Sequence, residues 1–340
     1  MARGRWKKVV GTIFLIIVAF AILGITFTIG WRPFIGPKAR ALTNRTFEST
    51  PARLERGRYL VTAVTGCVAC HSERDPNASG MPPVADKVGG GTIFGEGSEL
   101  PGRVVAPNLT PDRETGAGNW TDDMLARAIR EGIGHDGRAL FPLMPYMNYR
   151  EMPDEDLASV IVYLRSLAPV KNSLPTTEII FPVKYFMRTA PEPVNAPVPT
   201  PDLSDVVKRG AFLVRMSSCA DCHTPQDKGQ PKPGLEFAGG LMFTTPAGTV
   251  MAANITPEVS GISYYDEDLF IQAFRNGKVK ARSLSPIMPW YFYRNMTDED
   301  LKAIFAYLRT LKPVKHTVDN TESPALCKLC GMKHGGGEKN

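Results

Sequence analysis

The sequence predicts an all-α protein: two tandem helical domains of similar layout behind an N-terminal transmembrane helix. Three observations predict it. The pattern Cys-x-x-Cys-His occurs twice, at Cys67–His71 and Cys219–His223, and the landmarks around each copy recur in the same order. Apolar residues at helical spacing precede and close each copy. Near the N-terminus an apolar run from Val9 to Trp31 is broken only by Gly and Thr.

A chain of 340 residues suits two domains with additions. The order of landmarks sets the expected boundaries: 1–50 for a basic end, a transmembrane anchor over 9–31 and a tether; 51–172 and 201–316 for the two domains; 173–200 for a Pro-rich linker; 317–340 for a tail. Hydrophobic residues make up 43% and charged residues 22%, ordinary for a globular protein. The formal charge is +6, but Arg3, Arg5, Lys7 and Lys8 supply four of it. The remainder argues against nucleic-acid binding, which needs basic residues on a folded face.

The apolar run is the first element. About 20 residues at 1.5 Å each span a bilayer core of roughly 30 Å. A cleaved signal peptide is the alternative; its apolar region is usually about 7–15 residues, and Ala19 and Ala21 offer small residues for cleavage. The length favours an uncleaved anchor. Basic residues ahead of the span hold that end in the cytoplasm, so the rest of the chain is expected on the periplasmic side of a bacterial inner membrane. Residues 32–50, with Pro33, Pro37 and Thr50-Pro51, read as a tether.

A helix is predicted from Pro51 to Val64, with Leu54, Leu60, Val61 and Val64 on its apolar face, leading into Cys67. Leu203, Val206, Val207, Phe212 and Leu213 do the same ahead of Cys219. Gly57 and Gly210 occupy equivalent places. Glycine inside a helix costs about 1 kcal/mol against alanine, so the pair predicts close approach by another helix.

Two thiols at this spacing can add across the two vinyl groups of one porphyrin, while the next residue turns an imidazole to the iron. A bare Cys-x-x-Cys also suits a redox dithiol or half a zinc site. The doubled motif with its following His points to covalent haem on Cys67/Cys70 and on Cys219/Cys222, with His71 and His223 as iron ligands. Export past the membrane agrees with that chemistry.

Gly- and Pro-rich loops follow each motif. Gly89 to Gly97 superficially resembles a phosphate cradle but has no Gly-Lys-Ser/Thr after it. Its counterpart at Gly239-Gly240 makes both of them haem-pocket loops. Asn108-Leu-Thr-Pro-Asp112 repeats as Asn254-Ile-Thr-Pro-Glu258; each Asn suits either a haem propionate or a simple Asx-turn. Helices begin at Thr121, a good N-cap, and around Asp266, and both stop at Arg-x-Gly, ending in Gly132 and Gly277.

Phe141-Pro-Leu-Met144-Pro-Tyr146 then aligns with Ser285-Pro-Ile-Met288-Pro-Trp290. A methionine between prolines has little conformational freedom, which suits a thioether aimed at the other face of the iron. Met144 and Met288 are therefore the second pair of expected axial ligands. Closing helices run from Asp154 and Asp298, to Leu167 and Leu311. Thr297 caps the second, whereas Pro153 offers the first no side-chain cap; Tyr163 and Tyr307 fall where each can lie over Gly57 or Gly210. The linker carries Ile179 to Phe186 among its prolines and is expected to pack on a domain.

With these residues in place, both halves resemble class I cytochrome c domains. The tandem, over about residues 50 to 315, is similar to the membrane-bound cytochrome c subunits of periplasmic dehydrogenases for alcohols, aldehydes or sugar acids. The resemblance implies two covalently bound haem c groups and no catalytic residue. It also implies electron transfer from a periplasmic dehydrogenase or quinol to a further cytochrome or terminal oxidase. Such subunits often carry three haems. Here the tail reads Cys327-Lys-Leu-Cys330-Gly331-Met-Lys-His334, with Gly where a proximal His belongs, so a local disulfide or a free pair in a disordered tail is expected. Cys327, Cys330 and His334 make three zinc ligands, one short of four.

A competing class is the di-haem peroxidase, which also joins two such folds. His135, in Gly-His-Asp-Gly, is the residue that hints at it; Lys280 stands near its place in the second copy, and an exposed loop histidine is the expectation. A passive anchoring subunit would leave both haem motifs unexplained.

Overall fold

The apolar run folds as helix α1 (Ala2–Phe27), with Phe14, Leu15 and Phe20 exposed on its outer surface. The structure, a computed structural model, describes residues 2–94, 100–245 and 248–335, so Gly97 at the end of the first Gly-rich loop lies outside the described residues. The stretch Arg5–Phe27 is long and apolar enough to cross a membrane. The helix stops short of Trp31 because Gly30 turns left-handed (φ 69°) and Pro33 follows; the Trp31 indole donates to the Thr26 hydroxyl at 3.1 Å.

Residues 32–50 are docked on the first repeat, unlike the free tether expected. The Arg40 guanidinium pairs with both oxygens of Asp123 at 2.7 Å and with Glu131 at 2.7 Å. The Thr43 N–H donates to Asp123 at 2.6 Å and the Phe47 N–H to Asp122 at 2.9 Å.

The first repeat opens with α2 (Pro51–Tyr59), capped by the Thr50 hydroxyl, and continues as a π-turn over Leu60–Val64. The widening has a local cause: both the N–H (2.8 Å) and the hydroxyl (2.9 Å) of Thr65 reach back to the Leu60 carbonyl. After it come α3 (Cys67–Cys70), α4 (Asp122–Glu131), α5 (Tyr146–Tyr149) and α6 (Asp154–Arg165). The second repeat has α7 (Val206–Met216), α8 (Cys219–His223), α9 (Glu267–Asn276), α10 (Trp290–Tyr293) and α11 (Asp298–Thr310). Thr121, Asp266 and Thr297 cap their helices through side-chain oxygens, while Pro153 does not. Gly132 and Gly277 close α4 and α9 in left-handed conformation.

The crossing predicted from the two helical glycines is present. A methyl on Gly57 would collide with the Ser159 carbonyl and stand 2.7 Å from Tyr163 Cβ; on Gly210 it would meet the Ala303 carbonyl and Tyr307 Cβ. In each repeat the entry and closing helices therefore touch backbone to backbone.

The fold is helical at its core but not all-α. Strands β1 (Thr92–Phe94), β2 (Gly102–Ala106) and β3 (Glu178–Ile179) form an antiparallel sheet, and β4 (Met242–Thr245) pairs with β5 (Gly248–Met251). These are the Gly- and Pro-rich stretches, which lack a helical apolar stripe; ladder pairing satisfies their backbone groups instead. Through β3 the linker packs on the first repeat, as expected, but by strand pairing: Ile180, Phe181 and Phe186 stay exposed.

One hydrophobic core runs through both repeats, from Leu60, Val61 and Ile161 to Phe292, Leu301 and Ile304. The two halves exchange contacts reciprocally: α5 packs on α7, and α10 on the π-turn. Asn148 donates to Ser218 Oγ (3.0 Å) and Asp221 Oδ2 (2.9 Å), Arg74 donates to the Pro286 carbonyl (3.2 Å), and the Tyr59 hydroxyl bonds Asp300.

The tail folds back on the second repeat. Its hairpin, β6 (Ala325–Leu326) with β7 (Lys333–His334), packs beside Leu235 and Ala238, and Asn320 bonds both backbone groups of Met251 at 2.8 and 3.2 Å.

Candidate haem sites

Each Cys-x-x-Cys-His forms a short helical turn launched from a left-handed residue, Gly66 (φ 57°) in one repeat and Ser218 (φ 56°) in the other. The motif histidine then folds under its own turn. His71 is buried, and its Nδ1 lies 2.8 Å from the Pro107 carbonyl; His223 Nδ1 lies 2.7 Å from the Ala253 carbonyl. A carbonyl only accepts, so Nδ1 carries the proton and Nε2 keeps its lone pair for a metal. Burial holds both imidazoles below their ordinary pKa, against the opposing pull of those carbonyls, which maintains the neutral, ligating form. The Gly-rich loops pack where the sequence assigned them, the Gly91 N–H donating to the His71 carbonyl (2.8 Å) and the Gly239 N–H to that of His223 (2.7 Å).

Burial pushes the Cys67 thiol up to about 11 and the Cys219 thiol up to about 12. Cys70 lies near enough across the repeat interface to act electrostatically on Cys222. The two attachment turns are thus neighbours across the repeat interface, where Asn148 also reaches Asp221, a proximity the sequence did not reveal.

Met144 and Met288 occupy the same turn. The Met144 N–H donates to the Phe141 carbonyl and the Met288 N–H to the Ser285 carbonyl, both at 3.1 Å; Pro145 and Pro289 follow with nearly equal backbone angles. Both methionines pack on the core that includes Val68 and is flanked by Cys67 and Cys219. A buried tyrosine pins each turn to its attachment segment: the Tyr149 hydroxyl donates to the Thr65 carbonyl (3.0 Å) and that of Tyr293 to the Ser217 carbonyl (2.8 Å). Two thiols, an imidazole lone pair and a thioether thus recur in each repeat, residue types whose chemistry fits haem c.

Two sequence-derived options resolve. Asn108 and Asn254 are Asx-turn residues rather than propionate donors. Their Oδ1 atoms take the N–H and hydroxyl of Thr110 and Thr256, and their amides donate to the Val170 (2.6 Å) and Val314 (2.8 Å) carbonyls. His135 is exposed and stacks on Trp120, ring centroids 4.3 Å apart.

Sequence reasoning missed a further set. His316, just after the second closing helix, lies with Cys327, Cys330 and His334, their ligating atoms all within 4.8 Å of one another. Both cysteines are free thiols, as one of the two expectations had it, but in an ordered hairpin rather than a disordered tail, and His316 is the fourth donor the sequence count lacked. A lone histidine without a spacing rule gave no signal.

The cytochrome c family profile matches residues 54–168 and again 207–312, more than half the chain. The fructose dehydrogenase cytochrome subunit of Gluconobacter japonicus is 32% identical over 81% of this chain and 57% of its own length. The gluconate 2-dehydrogenase cytochrome c subunit of Pantoea cypripedii is 29% identical over 83% of this chain and 66% of its own length. A diheme cytochrome c-type protein of Cereibacter sphaeroides is 27% identical, matching 79% of this chain and 89% of that protein. The chain thus spans less than two thirds of the length of the two dehydrogenase cytochrome subunits it resembles. With both attachment motifs falling inside the matched segments, this chain belongs to the cytochrome c family and carries two covalently bound haem c groups.

Proposed function

We propose that the chain is a membrane-anchored di-haem electron carrier, taking electrons from a periplasmic dehydrogenase or quinol and delivering them to a further cytochrome or terminal oxidase. Cys67 and Cys70 hold the first haem, with His71 and Met144 as iron ligands; Cys219, Cys222, His223 and Met288 do the same for the second. Each bound haem supplies a one-electron Fe(III)/Fe(II) couple, with a potential raised by thioether ligation. The observation that carries this reading is the matched methionine turn in both repeats, pinned by Tyr149 and Tyr293 to the attachment segments. With His and Met engaged, neither site keeps a position for substrate. The proximity of the two attachment turns favours exchange between the two sites. The named relatives, cytochrome subunits of fructose and gluconate dehydrogenases, support a dehydrogenase as donor. Helix α1, with Arg3, Arg5, Lys7 and Lys8 on the cytoplasmic side, supplies the anchor and leaves both repeats in the periplasm.

The peroxidase alternative draws on His135, and its stacking on Trp120 gives that alternative no support. Optical redox titration of detergent-extracted protein tests the proposal. Two low-spin haems and peroxide turnover at background level are expected, in a protein retained by carbonate-washed membranes. A high-spin haem with robust peroxide turnover would overturn it.

A further inference from the structure

We propose that His316, Cys327, Cys330 and His334 form a tetrahedral zinc site that fastens the tail to the loop bonded to the second attachment motif. Of the chain's six cysteines and five histidines, the two haem motifs use four and two, and His135 stacks at the surface. The remaining two of each converge here.

The geometry is that of a ligand shell. Cys327 Sγ lies 3.4 Å from His316 Nε2, and Cys330 Sγ lies 3.1 Å from His334 Nε2. Zinc at about 2.3 Å from sulfur and about 2.05 Å from nitrogen places tetrahedral S and N ligands about 3.5 Å apart. Both imidazoles are oriented as metal ligands are. His316 Nδ1 is 2.8 Å from the Ala238 carbonyl and His334 Nδ1 is 3.3 Å from the Thr317 carbonyl, so both Nε2 lone pairs point at the thiols. His316, Cys330 and His334 are buried.

The surrounding backbone is shaped to this cluster. The Cys-x-x-Cys turn closes through Gly331 N–H to the Cys327 carbonyl and Cys327 N–H to the Met332 carbonyl, both at 2.8 Å. The β6–β7 hairpin sets Ala325 opposite His334, bringing the fourth ligand back to the turn. Gly240 (φ 90°) leaves room for it: a methyl there would stand 2.8 Å from His316 Cε1 and 2.9 Å from His334 Nε2.

A disulfide would use the two sulfurs but give the two oriented histidines no role. Two thiolates and two neutral imidazoles suit zinc, whose binding releases the two thiol protons and leaves the site neutral. Four protein ligands leave no open position, so the site is structural. It ties residues 316–334 to the 238–240 loop, whose Gly239 N–H bonds the carbonyl of His223.

The test uses full-length holoprotein purified without a metal-affinity step. Elemental analysis should give one zinc beside two irons per chain, and zinc-edge X-ray absorption should give two sulfurs near about 2.3 Å and two nitrogens at roughly 2.0–2.1 Å. His316→Ala should abolish stoichiometric zinc while both irons remain. Should that variant not accumulate, chelation of the wild type by dipicolinate should release one zinc and expose two titratable thiols. A Cys327–Cys330 disulfide, two free thiols with no metal, a third iron, or zinc unaffected by His316→Ala would each overturn the proposal.

Discussion

Met144 and Met288 are held in place by neighbours, and that determines what their removal does. Each sits in a turn fixed by proline behind it and by a tyrosine hydroxyl reaching the opposite segment. Truncating the side chain therefore leaves the turn intact and removes one sulfur donor. Met144→Ala should convert the first haem alone to a high-spin form that binds carbon monoxide, with a lower potential; Met288→Ala should do so for the second alone. Spectra and potentiometry of the two variants check this, and His135→Ala serves as the unchanged control. The matched turns were legible in the sequence because the Pro-x-Met-Pro pattern recurs at equivalent places in the two repeats. His316 was not: its role comes from a chain reversal that brings residue 334 back beside it, and no local pattern encodes that.

At the scale of elements, the segment ahead of α2 behaves as part of the first repeat. Proline content made 32–50 look like a tether, yet its Arg40 enters a buried carboxylate pair on α4. Burial would raise the Asp123 carboxyl, but the bidentate Arg40 and the Thr43 N–H outweigh it and hold Asp123 at about 2. The sign follows from linkage. A carboxyl lower in the folded than in the unfolded state, where it is about 3.9, stabilises fully above that value. The contribution is lost as pH falls toward 2. Proteolysis between residues 32 and 50 should therefore accelerate as pH drops from about 4 to 2, measured with an acid-active protease. Asp123→Asn should abolish that pH step and cost about 3 kcal/mol, since Arg40 keeps Glu131. An unchanged acid profile in the variant would show that Asp123 does not hold the segment. Helices were readable from caps and apolar period; the docking was not, because it depends on single charged residues 83 and 91 positions apart.

At the scale of the molecule, the two repeats share one core and a reciprocal interface rather than lying as beads on a linker. The repeat order was plain in the sequence. The interface was not, because Tyr59, Arg74, Asn148 and Asp300 are unremarkable residues whose partners lie in the other half. A continuous core makes the halves thermodynamically dependent. Wild-type protein should unfold in one denaturant transition, with loss of each haem's Soret signal coinciding when Met144→Ala and Met288→Ala mark the two sites. Asn148→Asp offers the sharpest test. It replaces the amide that donates to Asp221 and Ser218 with a carboxylate beside Asp221, losing the hydrogen bond to Asp221 and adding like-charge repulsion, while the Ser218 hydroxyl can turn to donate instead. A cost of about 1–3 kcal/mol concentrated at the interface should separate the transitions of the two repeats. Two resolved transitions already present in the wild type would mean that the shared core does not couple the halves. A single transition that persists in Asn148→Asp at lowered stability would place the coupling in the apolar contacts between α10 and the π-turn instead.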